Sequence, residues 1–455
     1  MKVKSLTEGN IYKNYLLYAL PLIVSAILAR LYGTVDSVIA GKCIGDLALG
    51  AVSAMSSIDA IFFALFNGFA VGFSIHLANL FGQRNYARIR RDTYATVIFI
   101  AVVSLLLGVL AVLFRNPLMD FLKVDEVLRR DAEIYFVIVI LGSGFNYVNR
   151  IFAQVLPAMG ITSFSLYLSV GSALLNIVGN LICVVALRMG VAGLAIATVF
   201  STAAVTLIYF LILRNAFRKL DLEKTPFRFR FSYVSESFRY TLPAAAQQLA
   251  FHWVGVLIAP PINGMGAAAT TANNVNGQLY SICSITIWNM TSSISCYTAQ
   301  SIGEGSVHKI PRGLRVGFLL NSVMLLPVLL SFYFFADPIV SIFFPEGFEG
   351  LALDYALRYV RVFLPFLLVQ MADHVLHSYL RSLGAVNAVF YISLLGSIVR
   401  AVLTYALVPV LGMDGVYLSQ IISWAADLLV TVVLYLQKYR TVPQIQRIAQ
   451  RINNR

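Results

Sequence analysis

Charge is scarce in this chain. Only 12% of its 455 residues are Asp, Glu, Lys or Arg, against about 25% in ordinary soluble domains, and so few charges cannot cover a water-exposed surface. Histidine and cysteine are scarcer still, at five and four. Cys43, Cys183, Cys283 and Cys296 show no CxxC spacing, which argues against a thiolate metal site or a disulfide framework. No phosphate loop, no GxGxxG and no nucleophile elbow occurs. Nothing here points to ATP, to a cofactor or to an enzyme's nucleophile and base. Uphill work by such a chain would have to draw on an ion gradient.

What it has in abundance is apolar residues, at 59%, gathered in long blocks such as VIFIAVVSLLLGVLAVLF at 97–114. At 1.5 Å per helical residue, blocks of that length cross a hydrocarbon core. The pattern predicts an all-α polytopic membrane protein with twelve spans, near 15–40, 49–80, 93–114, 132–157, 164–188, 190–213, 240–262, 268–302, 314–335, 356–380, 387–411 and 415–437. The polar start leads directly into a full-length span, with no sign of a cleavable signal.

The formal net charge of +13 is explained by where the cations fall rather than by a polyanionic partner. With both termini in the cytoplasm, 23 of the 34 Lys and Arg fall on inside segments and eight on outside loops. That bias sets orientation, and it needs no nucleic acid. The basic segments suit anionic headgroups. In the tail, Ile445, Ile448 and Ile452 form one stripe with Arg447 and Arg451 off it, the pattern of a helix lying at the membrane interface, with a solvated frayed tail as the alternative.

An internal repeat runs through the chain. ALP at 19–21 matches TLP at 241–243, SIHLANLFG at 74–82 matches SCYTAQSIG at 295–303, PAMGITSFSLYLS at 157–169 matches RSLGAVNAVFYIS at 381–393, and GVAG at 190–193 matches GMDG at 412–415. Because each half holds an even number of spans, the halves insert in the same orientation, related by a pseudo-twofold axis along the membrane normal. The predicted organisation is a first lobe over 1–213, a charged cytoplasmic linker over 214–239, a second lobe over 240–437 and a basic amphipathic tail over 438–455.

Four stretches carry a resemblance to a known family. These are TEGNIYKNYLLYALPLIVSAILARLYGTVDSVIAGKCIG near the start, GFSIHLANLFGQ closing the second span, LLNIVGNLICVVALRMGVAGLAIAT across spans five and six, and LPAAAQQLAF opening the second half. They resemble the multidrug and toxic compound extrusion transporters over about residues 5–440. The resemblance implies two six-helix bundles that export organic, often cationic, compounds in exchange for Na⁺ or H⁺.

Asp36 is the lone acid of the first span. A charged side chain near a helix centre costs roughly 2.5–3.5 kcal/mol by insertion scales, so it persists where it faces protein or a wet cavity. Ala29, Tyr32, Gly33 and Ala40 share its helical face, while Arg30 lies about 120° away and is a poor partner. We read Asp36 as the coupling carboxylate, alternately holding and releasing a proton or cation. The resemblance agrees, since the family carries a functional aspartate at this place in the motif. It also implies a supporting polar cluster of Tyr135, Asn176, Asn180 and Thr198. Asn176 and Asn180, at i and i+4, project from one side of their helix. Asn180 stands where some members have a second aspartate, which tilts the coupling ion from Na⁺ toward H⁺.

In the second half Asp373, His374, His377, Arg400, His252 and Asp427 all fall within predicted spans. Asp373 and His377 share a face, Arg400 takes the repeat position of Asn176, and an Asp373–Arg400 pair is expected. Asp373, His377, Arg400 and His252 form the candidate second-lobe site. The glutamate that one branch of the family carries on span seven is replaced here by Phe251 and His252, so that branch's cation site is not carried over. Asp59 and Arg150 read as packing or cytoplasm-edge residues. The expected protein is a monomeric antiporter of the bacterial cytoplasmic membrane acting on small organic substrates. The alternative is a flippase for lipid-linked oligosaccharides, disfavoured because its pyrophosphate would need more cations than the Arg30, Arg150 and Arg400 found within the spans.

Overall fold

The computed structural model describes residues 5–39, 43–44, 46–121, 126–219, 227–345 and 347–453; the side chains of 31–38, 46–51, 53–58, 121 and 219 lie outside that description. Apart from turns and short connections, the described residues are helical. In chain order the helices are α1 (Ile11–Ile39), α2 (Asp46–Gly82), α3 (Tyr86–Leu113), α4 (Arg115–Phe121), α5 (Glu126–Ala158), α6 (Ser163–Asn180), α7 (Gly190–Lys219), α8 (Phe231–Ser235) and α9 (Phe238–Asn263). They continue as α10 (Ala267–Gly303), α11 (Ile310–Phe334), α12 (Ala336–Ser341), α13 (Leu351–Arg358), α14 (Leu367–Ser382), α15 (Val386–Leu411), α16 (Met413–Lys438) and α17 (Val442–Asn453).

Ten helices among the described residues are long and apolar enough to cross a membrane. The other two expected spans are also helical, but each departs from the simple pattern for a visible reason. The span at 268–302 is α10, whose 37 residues interleave Asn, Ser and Thr with the apolar positions. The span at 356–380 is built in pieces. A π-helical stretch at Tyr359–Phe363 and a 3₁₀ turn at Leu364–Phe366 separate α13 from α14, and Pro365 in that turn has no N–H to continue an α-helical ladder.

Helix boundaries follow local chemistry. The Asn85 side chain accepts the Arg88 amide at the start of α3, and the Asn10 side chain accepts the Tyr12 amide at 2.9 Å at the start of α1, each satisfying a donor that has no intrahelical partner. The repeat shows in the backbone as well. Gly160 and Gly384, 224 residues apart, have φ of 79° and 80°. Gly190 and Gly412, 222 apart, have φ of 59° and 57°. Both pairs end one helix and admit the next in a left-handed conformation that glycine adopts without strain.

The described chain forms two compact units. The first comprises Leu20–Ala245 with the first few residues, and the second Leu6–Ala19 with Ala246–Arg455. Within the first, α5 is central and packs on α2, α3 and α7, while α6 packs on α7. The opening turns of α9 also belong to it. A Cβ added at Gly68 would come 2.6 Å from the Ala244 oxygen, and one at Gly72 would come 2.6 Å from the Thr241 Cα, so α2 and α9 meet at a backbone-to-backbone crossing that only glycine permits.

In the second unit α10 packs on α11 and α14, and α16 on α14 and α15. The opening turns of α1 belong here: Tyr15 meets Tyr297 edge-on at 5.4 Å, and Leu6 N–H donates to Gln300 Oε1 at 2.9 Å. The tail helix forms, yet its apolar stripe does not serve as an interfacial face. Ile445, Ala449 and Ile452 are buried, α17 packs on α10, and Asn453 Nδ2 donates to the Ile302 carbonyl at 2.8 Å. The apolar face that sequence alone would assign to lipid is covered by protein.

Candidate functional site

The polar centre of the first unit is built on α6 and α7. Asn176 and Asn180, both completely buried, sit one turn apart. Asn180 Nδ2 donates to Asn176 Oδ1 at 2.8 Å, and Asn176 Nδ2 donates to Thr198 Oγ1 at 3.2 Å. The Thr198 hydroxyl in turn donates to the Leu194 carbonyl at 3.0 Å. The result is a one-directional relay from α6 to the backbone of α7, in which each group donates in the same sense. Directly after Asn180 the helix loosens into a π-helical stretch, Leu181–Ala186, a feature often found where a site is built.

Tyr135 on α5 packs against the buried cluster of Ile39, Val184 and Leu194, whose Leu194 carbonyl is the relay's last acceptor. Ile39 is the last residue of α1, so this cluster ties the end of α1 to the π-helical stretch after α6 and to α7. Asp36 lies three residues before Ile39 on the same helix; its side chain is outside the described residues. Of the five residues expected in this site, Asn176, Asn180 and Thr198 are joined by hydrogen bonds, and Tyr135 packs on the neighbouring apolar cluster.

The second unit gathers only part of its expected set. Asp373 and His377 on α14, 4% and 2% exposed, form a closed triangle with Thr431 on α16. His377 Nε2 lies 3.2 Å from Asp373 Oδ1 and 3.0 Å from Thr431 Oγ1, and the Thr431 hydroxyl donates to Asp373 Oδ1 at 3.2 Å. The expected Asp373–Arg400 ion pair is not formed. Arg400 Nη2 instead donates to Gln420 Oε1 at 3.5 Å, while the Asp373 carboxylate is already occupied by groups from its own helix and from α16. His252 stands exposed on α9, with no hydrogen bond to Asp373, His377 or Arg400. Asp427 packs against the backbone of α15 at Gly396, where an added Cβ would overlap its carboxylate.

The sequence profile of the MatE family matches residues 21–182 and 243–406, two stretches whose starts lie 222 residues apart. The chain belongs to the MatE family. MatE proteins are membrane carriers rather than enzymes. The chain is 23% identical over 350 residues to the probable multidrug resistance protein YoeA of Bacillus subtilis strain 168, covering 75% of each chain. It is 23% identical to the probable multidrug resistance protein NorM of Photorhabdus laumondii strain TT01, covering 84% of each. Its fold superposes with a TM-score of 0.86 on an outward-facing multidrug resistance MATE family transporter of the MOP superfamily, at 18% identity, over 99% of this chain and 98% of that one.

Two further polar clusters in this MatE chain were not foreseen as clusters. At the α2–α3 corner, His76 Nε2 lies 2.9 Å from Asp92 Oδ2, and both are buried. Arg91 Nε donates to Asp92 Oδ1 at 3.0 Å, Arg88 lies 3.6 Å from Asp92, and Arg88 continues the network to Glu236 beside α9. The signal was in RIRRD at 88–92, an acid set among three arginines. Deeper in the unit, Asp59 and Arg150 occupy neighbouring helices, both within candidate spans. Among the described residues no group of His, Cys, Asp and Glu is arranged to hold a metal ion.

Proposed function

We propose that this protein is a gradient-driven exporter of amphiphilic or cationic organic compounds in the bacterial cytoplasmic membrane, with both termini in the cytoplasm. Alternating access exchanges substrate for a coupling ion at Asp36, and that ion is H⁺ rather than Na⁺. The observation that carries the reading is the buried Asn180–Asn176–Thr198 relay, set beside the helix end that carries the lone acid of the first span. The relay is made of neutral amides and a hydroxyl. It offers polarised hydrogen-bond partners to a carboxyl that gains and loses a proton, and it adds no second charge to hold a sodium ion. The names of the relatives, which are multidrug resistance proteins, support the substrate class.

In the second unit we assign Asp373, His377 and Thr431 a structural role. Their polar atoms satisfy one another away from solvent, the condition under which buried polar groups hold helices together rather than turn over ligands. Arg400 and His252 are not part of that group.

The test is dye retention in an exporter-deficient host. Expression should lower retention of an ethidium-like cation. A proton uncoupler should abolish the effect, and removal of external Na⁺ should leave it intact. Retention unchanged by expression would overturn the exporter reading, and loss of export on Na⁺ removal alone would overturn proton coupling.

A further inference from the structure

A groove runs along the first unit between α3 and α7, which both pack on α5. It holds a cavity of about 560 Å³, within the ~300–1,000 Å³ of small-molecule sites. The buried Phe152 of α5 forms its floor. Tyr94, Val97 and Ile98 line it from α3 and Phe210 from α7. Phe210 lies 6.3 Å from both the Tyr94 and the Phe152 ring, and Phe227, beyond the end of α7, meets Tyr94 edge-on at 5.8 Å. The walls are therefore aromatic and aliphatic. The two charged residues of the lining are both cations, Arg90 and Arg214, and no acid lines it among the described residues.

Of the three arginines in RIRRD, Arg88 and Arg91 turn to Asp92. Arg90 turns instead to the groove, with its guanidinium 5.6 Å from the centre of the Tyr94 ring, near enough for the ring face to hold it. Arg90 comes just before the apolar run of α3, and Arg214 directly follows the apolar LIYFLIL of α7, so both mark an end of a candidate span. Exposed apolar stripes lead away from them. On α3 these are Ile98, Val102, Leu105 and Leu106, and on α7 Leu207 and Leu211, spaced to share one helical face with the arginine of their own helix. A ligand that matches this surface is negative at one end and long and apolar at the other. The planar fork of arginine suits a phosphate, and basic pockets between helices at the membrane edge are where anionic head groups lodge. A free phosphate has nothing to set against the rings and stripes. A zwitterionic lipid brings its own cation to two others, with no acid in the lining to receive it.

We propose that the groove between α3 and α7 is a binding site for one anionic phospholipid. Arg90 and Arg214 hold its phosphate, Tyr94, Phe152 and Phe210 take the start of its acyl chain, and the rest of the chain follows the exposed stripes. The phosphate then ties the end of α3 to the end of α7. The site rests on the membrane-spanning fold and stands apart from the exporter reading.

The purified full-length protein, freed of lipid in a neutral detergent, is titrated with dioleoyl phosphatidylglycerol, with dioleoyl phosphatidylcholine of identical chains and with inorganic phosphate, and bound molecules are counted by native mass spectrometry. The first phosphatidylglycerol should bind at least tenfold more tightly than the first phosphatidylcholine, and inorganic phosphate should not displace it. Arg90→Gln combined with Arg214→Gln should abolish that preference, and Arg90→Lys combined with Arg214→Lys should keep part of it. Arg214 is exposed, so Arg214→Gln alone should fold as wild type does and weaken phosphatidylglycerol binding at least threefold, which decides the matter even where the double variant is unstable. Arg218→Gln, one turn further along α7 and outside the groove's lining, should change that binding less than twofold. Equal affinity for the two lipids, a preference that survives loss of the groove arginines, an equal loss in Arg218→Gln, or displacement by inorganic phosphate would each overturn the site.

Discussion

Asn180 donates its side-chain amide to the oxygen of Asn176 at 2.8 Å, one turn back along α6, with both residues wholly buried. Each then depends on the other, because removing one leaves a polar group of the other stranded away from water. Asn176→Leu, which cuts the relay at its middle, is expected to lower gradient-driven export at least tenfold. Its stability loss should stay near the 1–3 kcal/mol of one stranded buried group. Asn180→Asp places a second acid beside the relay and is expected to make export respond to Na⁺. Transport assays in proteoliposomes with imposed ΔpH or ΔNa⁺ check both.

The crossing of α2 over α9 leaves no room for a methyl group. Since a Cβ at Gly72 would meet the Thr241 Cα at 2.6 Å, Gly72→Ala must push apart two backbones rather than turn a side chain. A loss of about 1–3 kcal/mol is expected, as for other overpacked sites. Gly255→Ala, where an added Cβ would meet nothing, serves as the control. Thermal unfolding in detergent should separate the two clearly.

Asp92 is the hub of the corner between α2 and α3, in contact with His76, Arg88 and Arg91. Asp92→Asn removes the buried anion that His76, Arg88 and Arg91 share and leaves the two arginines with the partly exposed Glu236. Breaking a fully buried ion pair from one side costs about 3–5 kcal/mol; with Arg88 and Arg91 26% and 34% exposed and still paired to Glu236, a smaller but measurable fall in unfolding temperature is expected. Glu236→Gln, at the exposed edge of the same network, should lose less than about 1 kcal/mol.

The Asp373–His377–Thr431 triangle predicts a contrast with Asp36. Asp373→Asn should reduce unfolding temperature because it disturbs contacts to both His377 and Thr431. Export driven by ΔpH should stay within twofold of wild type once corrected for the amount of folded protein. Loss of proton dependence in this variant would place coupling in the second unit.

Most of the architecture was legible because its causes are local or periodic. Apolar blocks marked the helices, the repeat marked equivalent turns, and the matched left-handed conformations at Gly160 and Gly384 and at Gly190 and Gly412 follow from glycines at those offsets. The Asn176–Asn180 contact was legible for the same reason, as an i, i+4 relation on one helix. What could not be read was the choice of partner across helices. Spacing placed Asp373 and Arg400 at membrane depth, but it did not reveal that Thr431 would reach Asp373 first. The Ile445–Ile452 stripe had an apolar face whose cover, α10 rather than lipid, depends on tertiary packing. The charged corner at His76 and Asp92 required a histidine and an acid sixteen residues apart to meet, which no single-helix pattern encodes.

The central claim is that one carboxyl group, at position 36, couples ion flow to export. Proteoliposomes containing wild type or Asp36→Asn can be given an imposed ΔpH while dye uptake against its gradient is recorded alongside dye exchange at equilibrium. The account predicts that the variant loses ΔpH-driven accumulation at least tenfold yet still binds dye. Undiminished ΔpH-driven accumulation by Asp36→Asn would contradict it.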